Sequence, residues 1–146
     1  MGIFRSIDIS GSGLSAERLR MDVISNNIAN VNTTRSEDGG PFRRKLVIFQ
    51  SRQPRTMFPQ FANKFPQKVG NGVRAIRIMS DPAPFKLVYD PNHPDADEKG
   101  YIRTPNINVV HEMVDMITAS RAYEANVTCI NSAKEMVSSA LAIGRR

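Results

Sequence analysis

Apolar residues recur at alternating steps of three and four along the first part of the chain, with Ser10 and Glu17 as interruptions. They share the a and d positions of one heptad frame: Ile3, Ile7, Leu14, Met21, Ile24, Ile28 and Val31. Because a and d positions lie on one helix face, this spacing predicts a helix over residues 5–32. Gly11 and Gly13 predict a weaker first half, since each glycine costs about 1 kcal/mol in a helix interior relative to alanine.

The last part of the chain repeats the heptad pattern over a longer stretch. Its a and d positions are Val109, Met113, Met116, Ser120, Tyr123, Val127, Ile130, Lys134, Val137 and Leu141. Asn106 or Asn108 offers an N-cap, and Gly144 follows the last apolar residues. Glu112 and Asp115 are expected in the early turns, where a carboxylate interacts favourably with the helix dipole. The pattern predicts a second helix of about 35 residues, roughly 50 Å long.

The middle of the chain cannot form long helices, because it contains all nine prolines, from Pro41 to Pro105. Runs of β-branched and aromatic residues bounded by Gly, Pro, Asn and Asp predict strands at residues 45–49, 73–78 and 85–89. Residues 52–72 combine basic residues with prolines and predict an exposed arm.

Together these elements predict a mainly α protein, in which long N- and C-terminal helices form a coiled coil with a small β-rich, Pro-rich central insertion. The expected division is an N-terminal helix within residues 1–33, a central segment at 34–105 and a C-terminal helix within 106–146. A hairpin of two helices covers each apolar stripe on one side only. We therefore expect other chains to supply the missing surface, and the free termini to be partly disordered until they do.

Composition and charge exclude several classes of protein. Apolar stretches in the 146 residues are four residues or fewer, whereas a membrane-spanning helix needs about 20. The single cysteine, Cys129, cannot form an internal disulfide, and with only His93 and His111 it cannot build a structural zinc site. Beside Val127 and Ile130, Cys129 is expected to be a small buried hydrophobe. The net charge of +6 is spread along the chain without a dense basic stripe, so no nucleic-acid partner is predicted.

No motif indicates catalysis or a cofactor. The run from His111 to Asp115 resembles a zinc-protease helix but has aspartate where the second histidine is required. Residues 95–100 begin like a calcium loop, but Lys99 stands where an oxygen ligand is needed and Asn106 stands in place of the bidentate glutamate. No histidine is placed beside a nucleophile, and no glycine-rich phosphate loop occurs. We predict no enzyme activity, no cofactor and no metal site.

Several segments resemble a known family. Leu14–Thr34, with Asn26-Asn27-Ile28-Ala29-Asn30 near its end, resembles the N-terminal signature of bacterial flagellar rod and hook proteins. Four further segments are similar to proximal-rod members of the flagellar basal-body rod protein family: Tyr89–Asp97, Gly100-Tyr101, Pro105–Ile117 and Ser120–Val127. Hook and distal-rod relatives usually continue the first motif into Thr-Pro-Gly-Tyr, whereas this chain continues with Thr33-Thr34-Arg35. That departure favours the proximal rod.

The resemblance implies a structural subunit that polymerises through its terminal helices into the torque-transmitting rod of the flagellar basal body. It implies export by the flagellar type III apparatus without a cleaved signal peptide, and a rod that crosses the periplasmic space. The implied partners are copies of the chain itself and other rod proteins, while contact with the rings around the rod stays open. A secreted coiled-coil adaptor or an export chaperone would show the same heptads and stays as the alternative.

The assembly interface is predicted from the heptad positions and from the asparagines near them. It comprises Leu14, Met21, Ile24, Asn26, Asn27, Ile28, Asn30, Met113, Met116, Tyr123, Asn126, Val127, Ile130 and Val137. Since a buried amide left unpaired costs about 1–3 kcal/mol, we expect these asparagines, together with Asn131, to fix the register of the packed helices.

Overall fold

The computed structural model describes residues 3–36, 39–52 and 70–144. It contains two long helices with four strands between them: α1 (Ile3–Ala29), β1 (Lys45–Ser51), β2 (Val73–Ser80), β3 (Lys86–Tyr89), β4 (Tyr101–Thr104) and α2 (Val109–Ile143). Both predicted helices and the three predicted strands are confirmed, and β4 is an addition. Most of the predicted arm, residues 53–69, lies outside the described residues.

The two helices pack against each other in antiparallel directions. Asn27 of α1 bonds to Glu112 of α2, whereas Gly13, two heptads earlier in α1, lies against Asn126, two heptads later in α2. A Cβ at Gly13 would lie only 3.0 Å from the amide atoms of Asn126, so the glycine permits close approach of the helices. The sequence predicts a weaker first half for this helix, but α1 is continuous from Ile3 through both of its glycines.

Helix α2 begins and ends with the capping residues that the sequence offers. Asn108 is the N-cap, and its side chain accepts a hydrogen bond from the backbone N–H of Val110. Gly144 is the C-cap, and its N–H donates to the carbonyl of Ala140. The helix has the predicted 35 residues, against 27 in α1. Since Gly13 faces Asn126 and more residues follow Asn126 in α2 than precede Gly13 in α1, the last turns of α2 extend past Ile3, the first residue of α1.

The first hairpin lies along α1. Strands β1 and β2 pair antiparallel, with Lys45 opposite Ser80 and Ser51 opposite Val73. Asn27 bonds to the backbone of Lys45 at one end of the hairpin. At the other end, Ser12 Oγ accepts from the Val73 N–H at 3.0 Å. The 15 steps from Ser12 to Asn27 cover about 22 Å of helix, and the six steps from Lys45 to Ser51 cover about 20 Å of strand, so helix and hairpin are similar in length.

The second hairpin, β3–β4, is fastened to the segment that follows α1. Tyr89 and Tyr101 pair across the two strands, with their rings 5.3 Å apart in an edge-to-face arrangement. In the turn between the strands, the Asp95 carboxylate accepts hydrogen bonds from Thr34 Oγ1 and from Arg35, both at 2.8 Å. The acidic segment read as a failed calcium loop therefore joins the second hairpin to the end of α1.

The buried apolar core of the described residues is small and consists largely of small side chains. It contains Ala16, Val23, Ile24, Ile102, Ala119 and Ala133. The expectation that Cys129 is buried is wrong, because its side chain is exposed. Cys129 precedes Ile130 by one residue, which turns it about 100° away from the half-buried Ile130 position. Since α2 has α1 on one side only, a side chain on another face of α2 reaches solvent.

Candidate assembly site

A buried polar junction joins the end of α1, the start of β1 and the first turn of α2. The Glu112 side chain is 1% exposed, and its Oε1 accepts from Arg44 Nε at 2.6 Å. Its Oε2 accepts from Asn27 Nδ2 at 3.0 Å. The same amide donates to the Lys45 carbonyl at 2.9 Å, while its Oδ1 accepts from the Lys45 N–H at 2.8 Å. We call Asn27, Arg44 and Glu112 the polar junction.

Arg44 extends the junction to two further carboxylates. Its guanidinium lies 3.9 Å from Asp81, which follows β2, and 3.6 Å from Asp115 of α2. Asp115 is also 3.5 Å from Arg20 of α1. Truncating one partner of a buried charge pair typically costs about 3–5 kcal/mol, because it leaves the other charge buried and unpaired. The junction therefore holds the first hairpin in one orientation relative to both helices.

Sequence reasoning missed this junction. The sequence pattern predicts for Glu112 only a favourable interaction with the helix dipole, and it predicts no role for Arg44. One signal was available in the sequence: Glu112 lies directly before Met113, a predicted core position. If Glu112 is buried together with its neighbour, its carboxylate needs a partner.

The contact between the helices uses small residues at heptad spacing. On α2, the buried residues Glu112, Ala119 and Ala133 are separated by multiples of seven, and Asn126 occupies the remaining position of that series. The half-buried residues Met116, Tyr123, Ile130 and Val137 alternate with them. The heptad frame predicted from the sequence includes this half-buried group. At its other positions, the predicted frame has Met113, Ser120, Val127 and Lys134. The observed contact instead uses the residue that precedes each of these in the sequence: Glu112, Ala119, Asn126 and Ala133. Relative to the predicted frame, α2 is thus rotated about its own axis, so that Ala119 and Ala133 face α1 and Met113 does not.

This rotation leaves large apolar side chains of α2 in solvent. Val110, Met113, Val114 and Ile117 are 51–68% exposed, and their spacing places them along one helix face. We call these four residues the outer stripe. At the other end of α2, Met136, Leu141 and Ile143 are 58–77% exposed. The residues between them on the exposed side are mostly small or polar, so the apolar surface of α2 is concentrated at its two ends.

The predicted interface residues lie at three levels of burial. Ile24 and Asn27 are buried; Leu14, Met21, Ile28, Asn30, Met116, Tyr123, Asn126, Val127, Ile130 and Val137 are half-buried; Asn26, Met113 and Asn131 are exposed. The helix pair therefore brings most of them near one another. Their assignment to an interface between chains stays a prediction.

The asparagines differ in their hydrogen bonds. Asn27 is 1% exposed and belongs to the polar junction. Asn30 closes the end of α1, because its Nδ2 donates to the Asn26 carbonyl at 2.9 Å and its Oδ1 accepts from Thr33 Oγ1 at 3.2 Å. Asn126 donates to the Ala122 carbonyl at 2.9 Å and packs against Gly13. Of the five asparagines predicted to fix the register, three, namely Asn27, Asn30 and Asn126, thus donate a side-chain hydrogen bond to the backbone of their own chain.

The described ranges contain neither clustered metal-ligating side chains nor a membrane-spanning helix. In residues 3–36, 39–52 and 70–144, no three His, Cys, Asp or Glu side chains come together as metal ligands. No helix in the same ranges is both long and apolar enough to cross a membrane.

Two family models match this helical framework. One, described as flagella basal body rod protein, matches residues 7–35 and covers most of α1. The other, described as flagellar basal body rod FlgEFG protein C-terminal, matches residues 98–143 and covers β4 and α2. The class of protein is therefore that of flagellar basal-body rod proteins.

Full-length relatives make the membership more specific. A protein of Borreliella burgdorferi is 55% identical over 98% of this chain and 98% of its own length. Proteins of Bacillus subtilis and Salmonella typhimurium are 43% and 37% identical, each over 99% of this chain and 100% of their own length. All three are named flagellar basal-body rod protein FlgC. The chain belongs to the FlgC family of flagellar basal-body rod proteins.

Family membership confirms the resemblance found in the sequence. The chain is a structural subunit of the flagellar basal-body rod and not an enzyme. Of the two functions that the heptads allowed, membership favours the rod subunit over the adaptor or export chaperone.

Proposed function

We propose that the chain polymerises through its terminal helices, which pack as a coiled coil with helices of neighbouring rod subunits. The observation that carries the proposal is the outer stripe, which presents four large apolar side chains to solvent at helical spacing. Exposed apolar patches on soluble proteins commonly mark sites of protein–protein contact. A helix of a neighbouring subunit can cover this stripe in the way that α1 covers the opposite face.

The energy available at the outer stripe is large enough to matter for assembly. Fully burying a Val, Ile or Met side chain contributes about 1.5–3 kcal/mol. Since the four side chains are 51–68% exposed, completing their burial is worth about 1 kcal/mol each, or about 4 kcal/mol for the stripe. Repeated around a rod, this contribution supports resistance to twisting through many modest contacts.

The finer parts of the proposal follow from the family resemblance. We place the subunit in the proximal rod, within the periplasmic space, after export through the flagellar type III apparatus without a cleaved signal peptide. The residues 1–33 and 106–146 would form the helical domain nearest the rod axis, with 34–105 further out. The partners would be copies of this chain, other rod proteins and, at the outer surface, the rings around the rod.

The test compares two aspartate substitutions on α2 in a bacterium that lacks its own copy of this gene. Val114→Asp places a charge in the outer stripe, and Ser132→Asp places the same charge at an exposed polar position of the same helix. Both variants are expected to keep the helix content of the parent, measured by circular dichroism, because both sites are exposed. Val114→Asp should abolish incorporation into isolated basal bodies and stop swimming, while Ser132→Asp should retain both.

Normal incorporation and swimming with Val114→Asp would overturn the proposal that the outer stripe is covered by a neighbour. A second variant, Ile117→Asp, makes the same comparison one turn further along the helix. If Val114→Asp lost helix content, the outcome for Ile117→Asp would decide the proposal.

A further inference from the structure

A basic cavity lies beside the start of the first hairpin. It has a volume of about 340 Å³, and Arg43, Lys45 and Arg103 contribute to its lining together with Phe42, Phe85 and Ser80. No acidic side chain is among the described residues that line it. We call Arg43, Lys45 and Arg103 the basic pocket.

Two of the three cations in the basic pocket, Arg43 and Lys45, lie over aromatic rings. The Arg43 guanidinium stacks over the Phe85 ring at 4.4 Å and donates to the Asp81 carbonyl at 3.3 Å. The Lys45 Nζ lies 5.6 Å from the centre of the Phe42 ring. Within the described parts of the chain, none of the three cations forms an ion pair with a carboxylate.

Three cations around one concavity produce a positive potential that attracts an anionic group. The guanidinium fork of arginine matches a carboxylate geometrically, because two parallel N–H donors meet its two oxygens. The volume lies near the lower end of the range of ligand cavities, which suits a few side chains rather than a large molecule. A short acidic segment of a polypeptide therefore fits the basic pocket.

The same chain presents such a segment on its second hairpin. Asp97 and Glu98 are exposed in the turn between β3 and β4, and neither forms an ion pair with a described residue. The neighbouring Asp95 is bonded to Thr34 and Arg35, so the turn is fastened at its base. We call Asp97 and Glu98 the acidic turn.

We propose that the acidic turn of one copy of the chain binds the basic pocket of an adjacent copy. The inference rests on the proposed polymerisation and adds a charge contact in the central segment to the helix contacts. Asp97 lines a neighbouring cavity together with Arg103, so the acidic turn and the basic pocket lie near each other on one chain. When the turn of each copy binds the pocket of the next copy in one direction, the contact is heterologous and repeating it extends an assembly; we propose this arrangement, because a reciprocal exchange between two copies would close a dimer. Its strength depends on salt, since the screening length falls from about 8 Å at physiological salt to about 3 Å at 1 M.

The test is a thiol cross-link between two variants that are co-expressed in a bacterium lacking this gene. Both carry Cys129→Ser, which removes the single cysteine. One also carries Ser80→Cys in the cavity lining, and the other carries Lys99→Cys beside the acidic turn. Tags of different length identify the heterodimer, which can form only between two chains. Ser51→Cys, at the far end of the first hairpin from Ser80, is the matched control.

Treating isolated basal bodies with a short thiol-to-thiol cross-linker should give the Ser80–Lys99 heterodimer and little of the Ser51–Lys99 heterodimer. The yield of the Ser80–Lys99 heterodimer should fall several-fold when the chain with Ser80→Cys also carries Arg43→Gln and Arg103→Gln. Absence of the heterodimer from basal bodies that contain both variants would overturn the inference and leave the proposed function standing. The proposed function is decided separately by the incorporation of Val114→Asp and Ile117→Asp, so failure of this inference and failure of the proposed function are distinguishable.

Two further comparisons keep the inference testable if the cysteine variants assemble poorly. Arg103→Glu and Glu98→Arg should each slow swimming, and the double variant should restore most of the speed, because the charges are exchanged. A double variant no faster than the slower single variant would contradict the contact.

Glu37 and Asp38 follow the lining residue Ser36 in the sequence. Changing them to Gln and Asn should leave the cross-link yield unchanged, and a several-fold rise would overturn the inference by showing that the chain's own acids compete for the pocket.

Discussion

Replacing Asn27 with alanine tests how the first hairpin is held against the helices. The Asn27 amide makes three hydrogen bonds, two to the backbone of Lys45 and one to the buried carboxylate of Glu112. Alanine removes all three and leaves the N–H and carbonyl of Lys45 and one oxygen of Glu112 without these partners. Because Asn27 is only 1% exposed, little water can replace the amide unless the packing opens.

The expected loss of stability is at least about 3 kcal/mol, since each hydrogen bond contributes about 1 kcal/mol and unsatisfied buried groups cost about 1–3 kcal/mol each. For a chain of this size, 1 kcal/mol corresponds to a shift in Tm of about 2–4 °C. We therefore expect Asn27→Ala to lower Tm by about 6–12 °C or more.

The neighbouring asparagine provides the matched control. Asn26→Ala removes the same side chain one position earlier, where it is exposed, and should change the free energy of unfolding by less than about 0.5 kcal/mol. Urea unfolding followed by circular dichroism at the helix band measures both variants. Equal stability losses for the two variants, or a loss below about 1 kcal/mol for Asn27→Ala, would refute the reasoning, because the amide would then not be a buried connection.

Two pairs of glycines give further predictions. Gly11→Ala should raise the free energy of unfolding by about 0.5–1 kcal/mol, since its Cβ would meet nothing within 4 Å. Gly13→Ala should be at least about 1 kcal/mol less favourable in the same urea titration, because its Cβ would lie 3.0 Å from Asn126. Gly39 and Gly100 share a φ of 76°, but only a Cβ at Gly100 meets a neighbour, the Tyr89 ring at 3.0 Å. Gly100→Ala should therefore cost more stability than Gly39→Ala. Only Gly100→Ala should change the near-ultraviolet circular dichroism of the tyrosines. Equal effects of the two substitutions on stability and on this signal would contradict the prediction.

The parts of the fold predictable from the sequence are those fixed by local patterns. Heptad spacing located both helices, and β-branched runs located β1, β2 and β3. Strand β4 was missed because Tyr101–Thr104 is only four residues long and only its first two residues are apolar. It forms a strand through its partner, since Ile102 is buried and pairs with Val88 across the hairpin. Such long-range pairing leaves a weak trace in a local pattern.

The site was less predictable because burial depends on which neighbour covers each helix face. The heptad frame correctly identified Met116, Tyr123, Ile130 and Val137 as partly covered positions. It favoured Met113 over Glu112, since hydrophobicity ranks methionine as the residue to bury. Arg44 reverses that order, because a carboxylate with two good partners can be buried where an isolated one cannot. The sequence pattern contains the charges, but only the fold brings Arg44 and Glu112 together.

The distribution of side-chain sizes on α2 gives different faces of the helix to folding and to the proposed assembly. Ala119 and Ala133 face α1 and bring the helices close, but their burial contributes little hydrophobic free energy because they are small. The larger side chains of the outer stripe, such as Val114 and Ile117, face away from α1 and gain their burial only from a partner. Polar contacts and close packing therefore contribute much to the fold of the single chain, and on the proposed function much of its apolar burial is left for the assembled state. Covering the outer stripe should therefore stabilise α2 as well as join the subunits, so that order in the helices and growth of the rod are coupled.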